Sequence, residues 1–447
     1  MRPLNEAVTP LSRRRSIQAL GSESICAVTD AIPGRISHND AMKSALNLFA
    51  VSGLLLLGAC SKTEPVVLFE PQALDVPARV PATGPRISGD QGTSLILSWM
   101  EPDEEDTSLK YSRYQDGQWL PAKIVVEGHD MFVNWADMPS VTPLGDGRLA
   151  AHWLQMSADL PYAYDIVYTQ SGDDGVTWSE PLRPHNDGTP TEHGFVSIFP
   201  NGSHTGLIWL DGRRMVNEET NDALASGMTL RSAFVDENLT LHREQLVDDL
   251  ICDCCQTDVA LAVSGPVAVY RDRTRDEIRD IYVTRFADGG WLPGKPVADD
   301  NWEIPGCPVN GPAIAANGKT VAVAWFTGAA DHPVVRLSFS DDGGETFSAP
   351  IEVIDGSVLG RVGVLFLDDD DVAVSWLQPG NGGKADVHVR SIGKNGTLGV
   401  IHTVSTGAAS FSVPQIARSG DDLVIVWTES EDFVDRIASA RVPVAAL

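Results

Sequence analysis

The feature that most constrains this chain is a strand that returns seven times. It reads "LILSWM" at Leu95, "LAAHWL" at Leu149, "TGLIWL" at Thr205 and "PVAVYR" at Pro266. It continues as "VAVAWF" at Val321, "VAVSWL" at Val372 and "LVIVWT" at Leu423. Each run has the length and apolar content of a buried strand. Each also carries one aromatic: Trp99, Trp153, Trp209, Tyr270, Trp325, Trp376 and Trp427, spaced 51 to 61 residues apart. Such a stride marks a repeat architecture, in which a unit that cannot cover both its faces alone stacks on its neighbours.

The units share one internal order. A first strand leads to a polar turn such as "GDG" (Gly145 to Gly147), then the aromatic strand, a long loop, a third strand such as "DIVYTQS" (Asp165 to Ser171), and a closing strand. Four antiparallel strands per unit predict an all-β, seven-bladed β-propeller over residues 66–447. A six-bladed ring would require one unit to be an insertion. The last unit ends one strand short, after "RIASARVP" (Arg436 to Pro443), while "PVVLFEPQALDV" (Pro65 to Val76) precedes the first unit as a spare strand. Pairing the two would close the ring and remove an exposed sheet edge.

Two octapeptides, "SGDDGVTW" and "SDDGGETF", fall between third and fourth strands of units 2 and 5. They align Ser171, Asp173, Gly175, Thr177 and Trp178 with Ser340, Asp342, Gly344, Thr346 and Phe347. The chemistry is that of a turn: the carboxylate accepts backbone N–H groups, the glycine supplies a positive φ, and the aromatic wedges between strands. Together with "RYQDGQW" (Arg113 to Trp119) and "RFADGGW" (Arg285 to Trp291), they resemble the Asp-box, or BNR repeat, of the sialidase superfamily. The resemblance spans almost all of residues 66–447. It implies that these turns lie on the face opposite the functional mouth, so Asp173 and Asp342 are structural. It also implies an acidic glycan as ligand, bound or hydrolysed in the exo-sialidase manner. Those enzymes use an arginine clamp, a late tyrosine nucleophile with a glutamate partner, and an aspartic acid/base. Here no tyrosine follows Tyr282, which leaves hydrolysis open.

The mouth is located by the phase of the repeat. Sixteen residues before the aromatics stand Thr83, Asp137, His193, Cys254, Val309, Gly360 and Phe411. Near them lie the candidate ligand-binding residues Arg86, Arg213, Arg214, Arg271, Arg273, Arg361 and His193, since guanidinium groups match a carboxylate in a planar, two-pronged way. Residues 271–280 hold four arginines and four acids, so a self-neutralising loop is the competing reading. Asp137 and Glu192 are the candidate catalytic acid and base. "CDCC" (Cys252, Cys254, Cys255) and Cys307 lead into units 4 and 5, which brings four sulfurs together. In an oxidising compartment they read as two disulfides with three possible pairings. The alternative is a thiolate site for copper or zinc, the one cofactor the sequence suggests, with His193 as a further ligand.

Upstream, "MKSALNLFAVSGLLLLGACSK" (Met42 to Lys62) has the charge, apolar stretch and small-residue ending of a secretory signal. Its "LGAC" resembles the bacterial lipoprotein box. The resemblance implies a signal peptide at 42–59, lipidation of Cys60, a tether at 60–65, and, because Ser61 is not aspartate, the outer membrane of a bacterial envelope. Residues 1–41 read as a mis-called start or an extension. A formal charge of −28 argues against nucleic acid or anionic lipid as partners, so membrane contact is expected only through the anchor and the chain is expected to be monomeric. Beside the glycan reading stand a non-catalytic scaffold for an envelope protein and a metal or redox function at the cysteines.

Overall fold

A computed structural model describes residues 70–89, 94–215 and 227–447. The expectations for residues 1–41, the signal peptide, Cys60 and the whole tether lie outside the described residues. The propeller is seven-bladed. Blade 1 comprises Thr83–Ser88, Ile96–Asp103, Asp106–Gln115 and an outer edge of Gln118–Trp119 and Lys123–Gly128. Blade 2 comprises Ser140–Gly145, Arg148–Met156 and Tyr164–Ser171, and blade 3 His193–Asn201, His204–Asp211, Met228–Val235 and Leu241–Ile251. Blade 4 is Asp258–Ala262, Gly265–Arg271 and Ile281–Ala287, edged by Gly290–Trp291 and Lys295–Pro296. Blade 5 runs Ala313–Asn317, Thr320–Thr327, Val334–Ser340 and Ile351–Asp355. Blade 6 runs Gly360–Phe366, Asp371–Pro379, Lys384–Gly393 and His402–Ala409, and blade 7 Gln415–Ser419, Asp422–Glu431 and Val434–Pro443. Among the described residues no helix is long and apolar enough to cross a membrane.

The spare N-terminal strand closes the ring. Gln72–Leu74 pairs antiparallel with Val434–Pro443, Gln72 opposite Arg441 and Leu74 opposite Ser439. The packing agrees: Leu97, Trp99 and Trp119 of blade 1 share a core with Val424, Val426 and Ile437 of blade 7. Comparable cores join each other adjacent pair of blades. The seven aromatics sit on second strands covered on both faces, each at most 5% exposed. Continuous apolar sequence is what that position requires. A buried indole N–H needs an acceptor. Residues i and i+2 of a strand share a face, and Trp99 donates to Glu101 (2.8 Å), Trp209 to Asp211 (2.9 Å) and Trp427 to Glu429 (3.1 Å).

The two octapeptides form the same turn. Ser171 Oγ donates to Asp173 (2.8 Å), whose carboxylate accepts the Thr177 N–H (2.9 Å) and hydroxyl (2.6 Å). Ser340, Asp342 and Thr346 repeat these bonds at 2.7, 2.8 and 2.5 Å. The Thr177 hydroxyl and amide, with Ser171, hold the Asp173 carboxyl down at about 2. Both turns bond to the first hairpin turn of their own blade, Asp174 N–H to Gly147 and Gly343 N–H to Lys319. That places them on the face opposite the loops between second and third strands. One detail differs from expectation. The aromatics wedge between blades rather than strands: Trp178 meets Tyr111 of blade 1 edge-on at 6.2 Å, and Phe347 packs on the core between blades 4 and 5.

Blade 2 departs from the four-strand pattern. After its turn the chain forms no fourth strand, only one backbone bond, Ser179 N–H to Gln170 at 2.9 Å, and a two-way bridge, Tyr168 with Leu182, at 2.8 Å each way. Pro181 and Pro184 flank that bridge, and proline has no N–H to extend a ladder.

Candidate functional site

The first strands enter the ring through kinks. Pairing slips between Thr83 and Arg86, between Gly194 and Ser197, and between Gly360 and Gly363. Non-glycine residues there take positive φ, with Phe195 at 52° and Arg361 at 57°. Such bulges re-aim side chains and bring backbone close to neighbours. At Gly194 a Cβ would stand 1.8 Å from Asp137 Oδ2, so only glycine lets that carboxylate dock.

The arginines separate sharply by what they already hold. Arg271 is 2% exposed and makes four hydrogen bonds to the carbonyls of Asn310, Arg279 and Phe326, while its guanidinium lies 4.9 Å from the Trp302 ring centre. It staples blade 4 to blade 5 and has no face to offer a ligand. Arg273 pairs with Glu277 (2.6 Å) and Asp253 (3.3 Å), and Arg279 with Glu277 (2.8 Å). Residues 271–280 are therefore the self-neutralised loop. Arg213 pairs with Asp211 (2.7 Å) and Glu244 (3.0 Å), and Arg214 is exposed, donating to the Asp249 carbonyl. Arg86, on the first strand of blade 1, donates to the Val196 carbonyl of blade 3 (3.2 Å). Burial lowers its pKa, opposed by Asp258 and Asp137.

Arg361 is different. Its guanidinium stands 5.2 Å from the Trp135 ring centre, its buried Nε has no partner, its Nη1 donates to the Pro308 carbonyl at 3.5 Å, and it forms no ion pair among the described residues. Burial pulls its pKa to about 10, opposed by Cys255, so it stays charged at neutral pH. Trp135 precedes blade 2 and Arg361 opens blade 6, two blades that are not neighbours. The indole also meets Phe411, which precedes blade 7, at 5.9 Å, and packs on the core that includes Phe195. The loop before blade 2 thus carries Trp135 across the propeller axis. Gln256 of the blade 4 lead-in holds it there, donating to the Ala136 carbonyl at 2.8 Å.

Beside this loop, the two candidate acid/base carboxylates flank one phenol. Tyr164, fully buried, places its hydroxyl 2.9 Å from Asp137 Oδ2 and 2.6 Å from Glu192 Oε1. Asp137, 2% exposed, also accepts the Phe195 N–H at 2.7 Å. Burial pushes Asp137 up to about 6, opposed by the Phe195 and Tyr164 bonds and by Arg86. Burial pushes Glu192 up to about 7, opposed by Tyr164 and aided by the Asp137 charge. One hydroxyl proton cannot serve two carboxylates, so one acid must carry its own. The raised carboxyls, Glu192 above Asp137, favour a protonated acid beside the phenol as pH falls towards neutrality.

The sulfurs also converge. Cys254 and Cys307 are joined, and Cys252 and Cys255 are buried free thiols 3.5 Å apart. Cys252 and Cys255 are not bridged in the structure, so it shows one disulfide of the two expected. The sulfurs of Cys252, Cys254 and Cys255 also lie within 4.8 Å of one another, close enough to share a metal ion. The Cys255 bond, Arg271 and Arg279 pull the Cys252 pKa down to about 6 against the cost of burial, while burial pushes Cys255 well up. His193 is not among these sulfurs. It is fully buried, stacked on His185 at 3.9 Å, with Nε2 3.2 Å from Asp187.

Sequence reasoning missed Tyr164, Trp135 and His185. Only Tyr164 left a signal, as the first residue of a third strand and so at its mouth end. Two surface clefts lie away from the mouth, one lined by Asp300, Arg336 and Glu352, the other by His204, Phe234 and His242.

No family model and no curated protein matches this chain. Solved structures do. A protein of unknown function from Dyadobacter fermentans is 14% identical, with 84% of this chain and 98% of that one aligned at a TM-score of 0.48. The NanB sialidase from Streptococcus pneumoniae is 10% identical over 80% of this chain and 85% of its own, at 0.45. A PL25 ulvan lyase is 11% identical over 69% and 78%, at 0.42. At such identities and scores the likenesses carry no argument, and the propeller rests on this chain's own seven sheets.

Proposed function

We propose that the mouth binds an acidic sugar, with Arg361 receiving the carboxylate and the Trp135–Phe411 pair receiving an apolar sugar face. The observation that carries this reading is the state of Arg361: a charged, partly buried guanidinium stacked on an indole, bonded to the Pro308 carbonyl at 3.5 Å and facing no carboxylate among the described residues. A guanidinium without an acid partner beside an aromatic platform offers both halves of a carboxylated sugar a partner. The reading is binding rather than hydrolysis. Tyr164 is buried and bonded to both acids, and Asp137 is sealed by Phe195 and Gly194, so neither group meets a ligand directly. In this proposal the ring is held at the cell envelope by lipid on Cys60, and a mature chain beginning at a diacylated Cys60 by intact mass is the check.

The test is calorimetry with N-acetylneuraminic and glucuronic acids, alongside a fluorogenic sialoside assay. Binding without turnover, weakened at least tenfold by Arg361→Ala, is expected. Absence of binding by both acids would refute the reading. Turnover lost in Glu192→Gln would replace binding by hydrolysis.

A further inference from the structure

Four sulfurs occupy one corner of the mouth, and their exposure divides them into two pairs. Cys254 and Cys307 form a disulfide whose Cys307 end is exposed. Behind it Cys252 and Cys255, only 1% and 2% exposed, stand in C-x-x-C spacing with sulfurs 3.5 Å apart. Cys252 Sγ is also 4.0 Å from Cys254 Sγ, close to van der Waals contact with a sulfur of the disulfide. Arg279 Nη1 lies 3.2 Å from Cys252 Sγ and is fixed from its other side by Glu277. Cys255 Sγ accepts the Asn310 N–H at 3.4 Å. Cations and amide N–H groups around a thiol stabilise its thiolate, the form that attacks disulfides.

We propose that these four cysteines form a thiol–disulfide exchange site, in which a buried dithiol trades its electrons with a surface disulfide that serves as the port to an external thiol or disulfide partner. In the first step the Cys252 thiolate attacks Cys254 Sγ. A Cys252–Cys254 bond forms, the Cys254–Cys307 bond breaks, and its electron pair leaves on Cys307, which takes up a proton equal to the one Cys252 released. In the second step Cys255 gives up its proton and attacks Cys252 Sγ; of the burial and the Cys252 charge that raised its pKa, the charge is gone once Cys252 is in a disulfide. The Cys252–Cys255 bond forms, and Cys254 leaves as thiolate and is protonated. One disulfide is consumed and one formed, so the internal transfer needs no oxidant or reductant. Its product exposes the Cys254 and Cys307 thiols, which can reduce a partner disulfide. The site belongs to the lead-ins of blades 4 and 5 and is independent of the sugar reading.

The test is pairing by peptide mass mapping of the native full chain, equilibrated in reduced and oxidised glutathione and trapped with N-ethylmaleimide. Metal content is measured on the same sample. The expected result is N-ethylmaleimide on Cys307 together with Cys252–Cys254 or Cys252–Cys255 peptides. In Cys252→Ser, labelling of Cys307 should fall about tenfold or more. Should that variant fail to fold, Cys255→Ser decides, since it should stop after the first step and give only the Cys252–Cys254 pairing with labelled Cys307. Cys254–Cys307 as the sole disulfide throughout would overturn the proposal. So would Cys307 labelling unchanged by Cys252→Ser, and so would stoichiometric zinc or copper in the untreated protein, which would make the cluster a metal centre.

Discussion

The two faces of the ring are built on opposite plans. On one, the two octapeptide turns satisfy themselves within eight residues: Ser171, Asp173 and Thr177 bond to one another, and Ser340, Asp342 and Thr346 do the same. On the other, several polar groups find their partners in a different blade. Arg271 reaches from blade 4 to Asn310 and Phe326 of the blade 5 region, Gln256 holds the loop before blade 2, and Trp135 meets Arg361 of blade 6. Local satisfaction makes a turn that can be repeated. Satisfaction across blades makes a surface where one group, Arg361, can be left without an acid partner.

Several substitutions would break or sharpen that contrast. The largest effect belongs to Arg271→Ala, which would strand buried carbonyls between two blades and should cost about 3 kcal/mol or more in denaturant unfolding. A small loss of stability with a large loss of ligand binding would return Arg271 to the ligand site. Next, Arg361→Ala should leave the unfolding midpoint nearly unchanged and weaken binding of a carboxylated sugar by about 1.5–3 kcal/mol, as expected for a hydrogen bond to a charged group.

The raised carboxyls of Asp137 and Glu192 give the mouth a pH dependence near neutrality that the octapeptide turns lack. Both carboxyls are raised in the folded state, Asp137 to about 6 and Glu192 to about 7. Folded protein therefore binds more protons than unfolded protein in this range, and the contribution of these groups is lost as pH rises through 6 to 7. Asp173, held down at about 2, acts only in strong acid, with the opposite sign. Glu192→Gln, which mimics the protonated acid, should be more stable than the native protein at pH 8 by about 1–2 kcal/mol and closer to it at pH 5, by thermal unfolding at both. A pH-independent difference would mean that Glu192 is ionised throughout. The smallest effect is expected of Gly344→Ala. Gly344 sits at φ +85°, and an added Cβ would lie 3.0 Å from Val267, so about 1 kcal/mol of stability should be lost with no change in ligand affinity.

The same contrast explains what could be read from the sequence. Seven recurrent aromatic strands and a spare N-terminal strand give blade number and closure, because each is a local pattern with a fixed stride. The turns were legible for the same reason. Phase along the repeat also carried the four cysteines into one corner, although not which sulfurs would pair. What phase cannot supply is the direction of a side chain or its partner. Arg271 and Arg361 look alike in sequence, yet one is enclosed by carbonyls and the other stands open on an indole. Tyr164 gains its meaning only when Asp137 and Glu192, 27 and 28 residues away, close on its hydroxyl.

The most direct test of the binding site is a titration of glucuronic acid against its methyl ester, followed by calorimetry and by the fluorescence of Trp135 relative to a Trp135→Phe variant. Dependence on the free carboxylate through Arg361 predicts that the acid binds at least about tenfold more tightly than the ester, and that the preference disappears in Arg361→Ala. Equal binding of acid and ester, or a preference that survives the loss of Arg361, would contradict it.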